Sequence, residues 1–407
     1  MKKCTNRQDI MDYLDSLAEP SNQFVPLSDS NIESNDTVKL LAFYLPQFHT
    51  IELNDKYHGK GFTEWSSVVK TRPAFAGHHQ PQLPIDVGFY DLSHEDIMFR
   101  QIELAKKYGI HGFCAYYYWF SGQKLLNKPF ENYLNNKKLD FPYCFCWDCG
   151  SWRNFWNKGH GEMIIEQKTT LQDIPKLCED LLSHFQDPRY IRIAEKPVFA
   201  MFSPQSLGNI TQIKSFTDHM RKVMSQHGFD IYLILIRTND MYVDGTWNCA
   251  PESFGFDAFS DFPPHNLENI TPKYLECPKK DFDGYMSYKI AQIWDIASYI
   301  NNKIYEKVVE EHKVFKSVFP SWDNTPRHFE NGGGHVFFGE TPDLYKQWLS
   351  WAMDWTYKNH TPDERIVFIN AWNEWAEGAH LEPDTKYGYA YLQKTKEALE
   401  EFYKKIV

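Results

Sequence analysis

The sequence has few of the features that mark membrane, disulfide-rich or nucleic-acid-binding proteins. No apolar run among its 407 residues approaches the roughly 18 needed to cross a bilayer, and the longest strong run, 231–236, has the size of a strand. Only 8 cysteines are present, too few for a disulfide framework in a chain of this length. With 43 Lys and Arg against 54 Asp and Glu, the net charge of -11 argues against a nucleic-acid partner.

Two kinds of segment are also missing. The polar residues 1–6 are followed at once by Asp9 and Asp12, without the apolar stretch of a signal peptide, so we expect reduced cysteines and a cytoplasmic location. The glycine-rich residues 331–335 lack the Gly-Lys-Ser/Thr ending of a phosphate-binding loop. We therefore expect no nucleotide cofactor, and no other cofactor is predicted.

The first 36 residues differ from the rest of the chain. An i, i+3, i+4, i+7 apolar stripe predicts a short amphipathic helix over residues 9–19, and the polar residues 28–36 are typical of a linker. We therefore expect an N-terminal arm and linker over residues 1–36, followed by one large domain over residues 37–407.

Short apolar runs alternate with amphipathic stretches through that domain, a pattern typical of buried parallel strands connected by helices. Strands are predicted over residues 38–45, 110–118, 141–147, 197–202, 230–236, 256–262, 314–320 and 365–371. Helices are predicted over residues 93–108, 171–185, 210–226, 294–312, 342–355 and 389–406. The alternation favours an α/β fold consisting of a single (β/α)₈ barrel with long loops after its strands. A doubly wound sheet would suit the alternation too, but the turn after its first strand is normally glycine-rich, and here residues 46–49 contain no glycine.

Polar and aromatic side chains gather where the predicted strands end, which is where a barrel of this kind places its active site. Aromatic residues make up 16% of the chain, and their flat faces can stack on sugar rings while amides and carboxylates bind hydroxyl groups. We expect an oligosaccharide or polysaccharide substrate. The candidate binding residues are Tyr44, Gln47, His49, Glu64, Trp65, Tyr117, Trp119, Trp147, Asp148, Asp261, His265, Trp322, Asp323, Asn373 and Trp375.

The candidate catalytic residues are Glu374 and Glu377, which follow the last predicted strand. Retaining glycosidases use two carboxyl groups roughly 5–5.5 Å apart, one on the anomeric side and one as acid/base. Burial against Trp372 and Trp375 would raise the pKa of one carboxyl. The alternative is that two Glu at this spacing lie on a solvated helix surface.

No metal site is predicted, although two patterns were considered. Glu377 and His380 fit the Glu-x-x-His motif of di-iron bundles, but such sites need a second copy that the chain lacks. Cys144, Cys146 and Cys149 could form a zinc site only with a fourth ligand such as Cys114. Buried structural thiols are the favoured interpretation.

Several short motifs occur in a combination that resembles the WbsX-type proteins of bacterial polysaccharide gene clusters, which are related to glycoside hydrolase family 99. They lie at residues 42–49 (Ala-Phe-Tyr-Leu-Pro-Gln-Phe-His), 61–65 (Gly-Phe-Thr-Glu-Trp), 77–81, 90–92, 112–113 together with 116–119, 262–265 (Phe-Pro-Pro-His), 322–325 (Trp-Asp-Asn-Thr) and 373–378 (Asn-Glu-Trp-Ala-Glu-Gly). The resemblance implies a (β/α)₈ barrel that acts on glycosidic bonds. It also implies that Glu374 helps the substrate's 2-hydroxyl to attack the anomeric carbon and that Glu377 is the general acid/base.

One segment departs from the resemblance. Related proteins read Trp-Ala-Asn-Glu-Asn-Trp after the third strand, whereas residues 147–152 read Trp-Asp-Cys-Gly-Ser-Trp. The sequence therefore leaves three functions open: a retaining glycosidase-like enzyme, which we favour; a glycosyltransferase of O-antigen or capsular polysaccharide biosynthesis; and a non-catalytic glycan-binding protein.

Overall fold

A computed structural model describes most of the chain, namely residues 19–33, 35–74, 77–154, 161–239, 249–275, 290–328 and 333–406. The helix predicted over residues 9–19 lies outside this part except for its last residue, and the glycine-rich residues 331–335 are only partly inside it. Among the described residues, no helix has the length and apolar character to cross a membrane.

Parallel strands form a closed barrel, which confirms the predicted fold. In chain order they are β1 (Lys39–Tyr44), β2 (Gly112–Phe120), β3 (Tyr143–Asp148), β4 (Lys196–Phe202), β5 (Tyr232–Ile236), β6 (Ala258–Ser260), β7 (Val314–Phe315 and Ser317–Val318) and β8 (Ile366–Ile369). Each strand pairs with its neighbour in the sequence, and β8 pairs with β1. The interrupted strand β7 closes the ring, because its first half pairs with β6 and its second half with β8.

Helices connect the strands of this barrel. They are α1 (Glu52–His58), α2 (Trp65–Val68), α3 (Glu95–Lys107), α4 (Lys128–Asn135), α5 (Ile174–Phe185), α6 (Ile210–Gln226), α7 (Ile296–Asn301), α8 (Thr325–His328), α9 (Pro342–Asn359) and α10 (Ala390–Ile406). The sequence marks α6 clearly: Asn209 and Gln212 form a capping box at its start, where each side chain accepts a hydrogen bond from the other's backbone N–H.

The helix predicted over residues 294–312 is wrong. Residues Ile290–Asp295 form a strand, and the helix that follows, α7, has 6 residues. It begins where the Asp295 side chain accepts a hydrogen bond from the Ser298 backbone N–H, an ordinary N-cap. The apolar residues around 294 therefore belong to a strand. The helical spacing of apolar residues that follows is too short to specify a long helix.

Additional strands lie in the loops at the carboxyl end of the barrel. Residues Lys273–Leu275, Ile290–Asp295, Gly334–Phe338 and Trp322–Asp323 form a four-stranded sheet in that order. Its members come from the loops after β6 and β7. This sheet presents Trp322 beside the barrel opening, and α8 follows directly from its last strand.

Candidate active site

Glu374 and Glu377 lie on a tight turn that follows β8. Residues Asn373–Glu374 pair with Ala379–His380, and the 3₁₀ turn Trp375–Glu377 connects the two strands. Gly378 ends this turn with φ 59°, and a Cβ atom there would lie 3.0 Å from the backbone nitrogen of Asp323. Both the left-handed backbone and the close approach favour glycine.

Asn373 connects the turn to the end of β1. Its Oδ1 accepts a hydrogen bond from the Leu45 N–H at 2.7 Å, and its Nδ2 donates to the Leu45 carbonyl oxygen at 3.0 Å. Nδ2 also lies 3.1 Å from the hydroxyl of Tyr90. The side chain is completely buried, so Asn373 positions the turn and does not line the cavity.

Glu382 supports the turn from behind. Its Oε2 accepts hydrogen bonds from Trp375 Nε1 at 2.7 Å and from the Tyr90 hydroxyl at 2.8 Å. Its Oε1 accepts from Gln101 Nε2 at 2.6 Å and from Trp372 Nε1 at 3.1 Å. Burial raises the pKa of this carboxyl to about 7 despite the four donors.

Arg327, on α8, contacts both candidate catalytic carboxylates. Its Nη2 donates to Glu374 Oε2 at 2.9 Å and to Glu64 Oε1 at 2.6 Å, and its Nη1 donates to Glu377 Oε1. Glu64 is fully buried, and its contact with Arg327 keeps it beside the pair. One guanidinium therefore holds three carboxylates close together, a geometry to which its planar set of donors is suited.

The electrostatics of this cluster favour bound protons. Burial raises the pKa of Glu374 well above its ordinary value, and the neighbouring charges of Glu377 and Glu64 add to the effect, while Arg327 opposes it. Burial also raises the pKa of Glu377, again against the influence of Arg327. Carboxyl groups with raised pKa values are typical of sites that carry out acid/base catalysis.

A cavity of about 420 Å³ opens above these carboxylates, and we call it the central cavity. It is lined by Leu45, Tyr116, Tyr118, Asp148, Phe202, Asn239, Phe262, Pro264, His265, Glu268, Trp322, Asn324, Arg327, His335, Glu374 and Glu377. Within the described part of the chain, the buried indole N–H of Trp322 has no hydrogen-bond partner. An unsatisfied buried donor costs free energy, and a ligand hydroxyl or carbonyl could accept its hydrogen.

An adjoining cavity of about 280 Å³ extends the central cavity toward Trp152. Tyr118, Asp148 and Arg327 line both cavities, and Gln47 lines the adjoining one. Burial raises the pKa of Asp148 to about 6, although the Gly150 backbone N–H donates to this carboxylate at 2.9 Å. The two cavities together form a groove with Asp148 in its middle.

Several predicted binding residues thus come together around the groove, while others lie elsewhere. Glu374, Glu377, Asp148, His265 and Trp322 line the central cavity, and Gln47 lines the adjoining one. The remaining predicted residues line neither cavity.

The structure corrects the expected placement of the aromatic residues on β1, β2 and β3. Tyr117 stacks on Phe145 at 4.8 Å, and Trp119 donates a hydrogen bond to Asp180 of α5, so both lie on the helix side of the barrel wall. Their neighbours Tyr116 and Tyr118 line the cavity instead, because successive side chains of a strand lie on opposite faces. The remaining two are also buried away from the cavity: Tyr44 donates to Gln101 of α3, and Trp147 packs on Phe216 of α6.

Trp65, His49 and Trp375 support the site from behind. Trp65 donates to the Tyr90 carbonyl oxygen at 2.9 Å, and the ring of His49 lies 3.0 Å from the Pro46 carbonyl oxygen. Trp375 stacks on His380 with ring centroids 3.7 Å apart. Trp65 packs on Trp375 of the turn with ring centroids 5.4 Å apart, and the indole N–H of each donates to an acceptor of the protein.

Asp323 and Asp261 are also placed outside the central cavity. Asp323 Oδ2 lies 2.6 Å from His78 Nε2 and accepts a hydrogen bond from Gln80 Nε2 at 2.6 Å, which fixes the start of α8. Asp261 forms ion pairs with Arg237 and Lys316, each at 3.1 Å, in a different cavity. Both carboxylates follow predicted strands, as expected, but each already pairs with cations or hydrogen-bond donors of the protein.

Sequence reasoning missed Glu268 and Arg327, and it did not select as candidates five other residues that line the central cavity: Tyr116, Tyr118, Asn239, Asn324 and His335. Arg327 is the most important because it contacts both candidate catalytic carboxylates. Its position three residues after Asn324, close to a predicted strand end, was the available signal.

Neither pattern considered for metal binding forms a cluster of ligands. Among the described residues, no group of three or more His, Cys, Asp and Glu side chains could hold a metal ion. His380 lies 2.7 Å from Gln82 and stacks on Trp375, while Glu377 contacts Arg327. Cys114, Cys144, Cys146 and Cys149 are buried free thiols.

Comparison with known proteins gives the family of this chain. The family model described as glycosyltransferase WbsX matches residues 40–395. The chain belongs to the WbsX family. A curated relative, the uncharacterized protein WxcX of Xanthomonas campestris pv. campestris (strain B100), is 36% identical over 366 residues. That match covers 88% of this chain and 49% of the relative, so the WbsX-family chain spans about half the length of the curated relatives it matches.

Solved structures share the barrel fold of this WbsX-family chain. A GH99 endo-alpha-mannosidase from Bacteroides thetaiotaomicron has a TM-score of 0.53 at 16% identity, covering 91% of this chain and 99% of the enzyme. A protein described as glycoside hydrolase-like has a TM-score of 0.53 at 15% identity, covering 93% and 98% of the two chains.

Proposed function

We propose that this WbsX-family chain is a carbohydrate-active enzyme of polysaccharide biosynthesis that breaks glycosidic bonds with retention of configuration. The observation that carries the proposal is the placement of Glu374 and Glu377 on one rigid turn, joined by Arg327, at the wall of an aromatic-lined cavity. Paired carboxyl groups beside a sugar-sized groove are the requirement for retaining glycoside chemistry.

In this mechanism Glu377 donates a proton to the leaving oxygen as the glycosidic bond breaks. Glu374 accepts a proton from the substrate's 2-hydroxyl, or assists an equivalent nucleophile, as the anomeric carbon is attacked. In the second step Glu377 removes a proton from the incoming water or acceptor hydroxyl as it attacks the anomeric carbon, the bond between that carbon and the 2-oxygen breaks, and Glu374 returns its proton to the 2-oxygen. The division of the two roles follows the family resemblance, and burial raises the pKa of both carboxyl groups, as is common for acid/base residues.

The surrounding residues orient the sugar. Tyr116, Tyr118 and Trp322 offer aromatic surface to the sugar ring, and the indole N–H of Trp322 supplies a donor. Asp148 can accept hydrogen bonds from sugar hydroxyls at the point where the two cavities meet. Because the walls bury the catalytic pair, its interactions with the transition state are stronger than in water.

Glycosyl transfer is the second candidate function, and the description of the family model favours it. The same carboxylate pair would serve, with a sugar hydroxyl as acceptor in place of water. A diphosphate donor would need cations. Among the described residues that line the central cavity, the one Arg or Lys side chain is Arg327, which already contacts three carboxylates. Hydrolysis, or transfer from a glycan donor, therefore fits the cavity better.

A panel of oligosaccharides, with and without sugar nucleotides, separates these candidates. We include mannose-containing glycans and record by NMR the anomer that is formed first. Turnover of a glycan alone with retained configuration supports the proposal, and dependence on a sugar nucleotide supports the transferase. Inversion, or binding without turnover, contradicts the retaining mechanism. Cytoplasmic location remains a prediction from the sequence.

A further inference from the structure

A second cavity, as large as the central one, lies on the helix side of the barrel wall. It has a volume of about 430 Å³ and is bounded by β7, α9 and the segment 305–312; we call it the outer cavity. In the described part of the chain, the β5–β6 connection contributes only the short 3₁₀ turn Pro251–Phe254, and α7 has 6 residues.

The floor of the outer cavity consists of two cations and two anions. Arg237 Nη1 lies 2.8 Å from Glu310 and 3.1 Å from Asp261, and Lys316 contacts the same two carboxylates. Although burial opposes ionisation of Asp261, the charges of Lys316 and Arg237 keep its pKa below the ordinary value. Burying such a charged network costs desolvation free energy. Apolar side chains could cover a barrel strand without that cost.

The walls of the outer cavity are aromatic, and among the described residues the lining atoms Ser317 Oγ and Asn266 Oδ1 lack a hydrogen-bond partner. Tyr305, Trp348 and Trp351 line the cavity, and Trp351 remains partly exposed. Within the described residues, the hydroxyl of Ser317 makes no hydrogen bond, although this side chain lines the cavity and is only 5% exposed. Aromatic walls with a few convergent polar groups are the usual composition of a small-molecule binding site.

The location of the outer cavity suggests its ligand. His265 lines both this cavity and the central one, so a single chain of sugars could contact both. The floor network has equal numbers of positive and negative groups, which gives it donors and acceptors for hydroxyl groups without selecting an ionic ligand.

We propose that the outer cavity is a second carbohydrate-binding site, which holds uncharged sugar units of the same glycan at a distance from Glu374 and Glu377. This inference rests on the proposed function and adds that glycan binding depends on the length of the glycan. Long glycans bind both cavities, whereas short ones bind the central cavity alone.

Binding measurements on two tryptophan variants test this inference. The full chain carrying Glu377→Gln, which is expected to slow turnover, is titrated with disaccharides and tetrasaccharides of mannan, glucan and galactan. Trp351→Ala should weaken tetrasaccharide binding about two- to tenfold and leave disaccharide binding unchanged. Trp355→Ala is the matched control, because its ring also lies over Lys316, at 4.8 Å, but does not line the cavity.

Hydrogen exchange locates the bound sugar directly. A tetrasaccharide should protect residues 305–317, and a disaccharide should not. If Trp351→Ala lowers the melting temperature severely, Val309→Asp serves instead, since Val309 is 85% exposed at the rim. The inference would be overturned if the variant weakened disaccharide and tetrasaccharide binding equally. It would also be overturned if no tetrasaccharide protected residues 305–317. If the protein turns over glycans but residues 305–317 are not protected, the inference about the outer cavity fails and the proposed function stands. If residues 305–317 are protected but Glu377→Gln keeps full turnover, the proposed function fails and the outer cavity remains a sugar-binding site.

Discussion

At the scale of single residues, the site is dominated by the contact of one arginine with three carboxylates. Arg327 carries one positive charge, while Glu64, Glu374 and Glu377 could carry three negative ones. Burial and mutual repulsion make full ionisation unfavourable, and the pKa values of Glu374 and Glu377 are raised as a result. A raised pKa suits the proton donation that the proposed mechanism assigns to Glu377.

Removing the arginine should shift the pH profile upward. Arg327 lowers the pKa of both Glu374 and Glu377, so Arg327→Met should raise both pKa values. The base is then ionised only at higher pH, and the acid stays protonated to higher pH. Both limbs of kcat/KM against pH should therefore move to higher pH, with a smaller movement for Arg327→Lys, which keeps the charge. An unchanged profile in Arg327→Met would show that the arginine does not set these ionisations.

Neighbouring tyrosines of β2 provide a matched pair of substitutions. Tyr118 lines both the central and the adjoining cavity, so Tyr118→Phe should raise KM about two- to tenfold through loss of a hydrogen bond. The hydroxyl of Tyr117 is buried without a partner among the described residues, so Tyr117→Phe should leave KM unchanged and thermal stability equal or higher. A higher KM for Tyr117→Phe than for Tyr118→Phe would contradict the assignment of Tyr118 to the cavity face of β2 and Tyr117 to the opposite face.

The same pair shows what the sequence could not specify. Residues 112–120 are all buried and rich in aromatic side chains on both faces, so no alternation of polar and apolar residues indicates which face lines the cavity. The prediction of Tyr117 and Trp119 chose the wrong face. Glu374 and Glu377 could be predicted because two carboxylates, a glycine and two tryptophans occur together directly after a strand.

At the scale of structural elements, the turn after β8 is held by buried hydrogen bonds. Glu382 accepts four of them, from Tyr90, Gln101, Trp372 and Trp375. A glutamine can offer only one oxygen, and its amide group would face two donors. The two oxygens of the Glu382 carboxylate can therefore accept all four hydrogen bonds, whereas a glutamine side chain cannot.

Glu382→Gln should lower the free energy of unfolding by about 2–4 kcal/mol, since two buried donors lose their acceptor. Guanidinium titration measures this, with the exposed surface residue Glu401 changed to Gln as a control expected to stay within about 0.5 kcal/mol. The folded-state pKa of Glu382 is raised to about 7 from 4.5, so its protonated form contributes stability that is lost as the pH rises through 7. The difference between wild type and variant should therefore be larger at pH 5 than at pH 8. An equal difference at both values would contradict this account.

The eight strands could be predicted because each is a short apolar run bounded by polar residues. Most helices were also predictable, and α6 matched its predicted bounds of 210–226. The failure at 294–312 has a physical reason: residues Ile290–Asp295 pair with Gly334–Phe338, a long-range contact that local spacing does not reveal.

At the scale of the whole molecule, the segment before β1 is joined to the end of the barrel. Val25 donates to the Tyr387 carbonyl oxygen at 3.1 Å and accepts from the Tyr389 N–H at 2.8 Å, and Ile32 donates to Lys107 at 3.2 Å. These contacts connect residues 19–33 to α3 and to the loop before α10. The proposed division at residue 36 therefore separates two parts that are in contact.

Starting the chain at Thr37 should lower the melting temperature by a few degrees, because the barrel loses these backbone hydrogen bonds. The truncated protein should still unfold in a single transition with unchanged KM, since none of the described residues before Leu45 lines the central cavity. Differential scanning calorimetry measures the transition. Loss of cooperative unfolding would mean that the first 36 residues are an integral part of the domain.

The central claim is tested most directly by the rates of Glu377→Gln and Glu374→Gln on a natural glycan and on an activated aryl glycoside. Both variants should lose about 10²–10⁴ in kcat/KM on the natural glycan. On the activated substrate, whose leaving group needs little protonation, Glu377→Gln should recover much of its first-step rate and Glu374→Gln should not. Circular dichroism confirms that both remain folded. Wild-type rates in both folded variants would contradict the account, and a non-catalytic glycan-binding role would then fit the chain better.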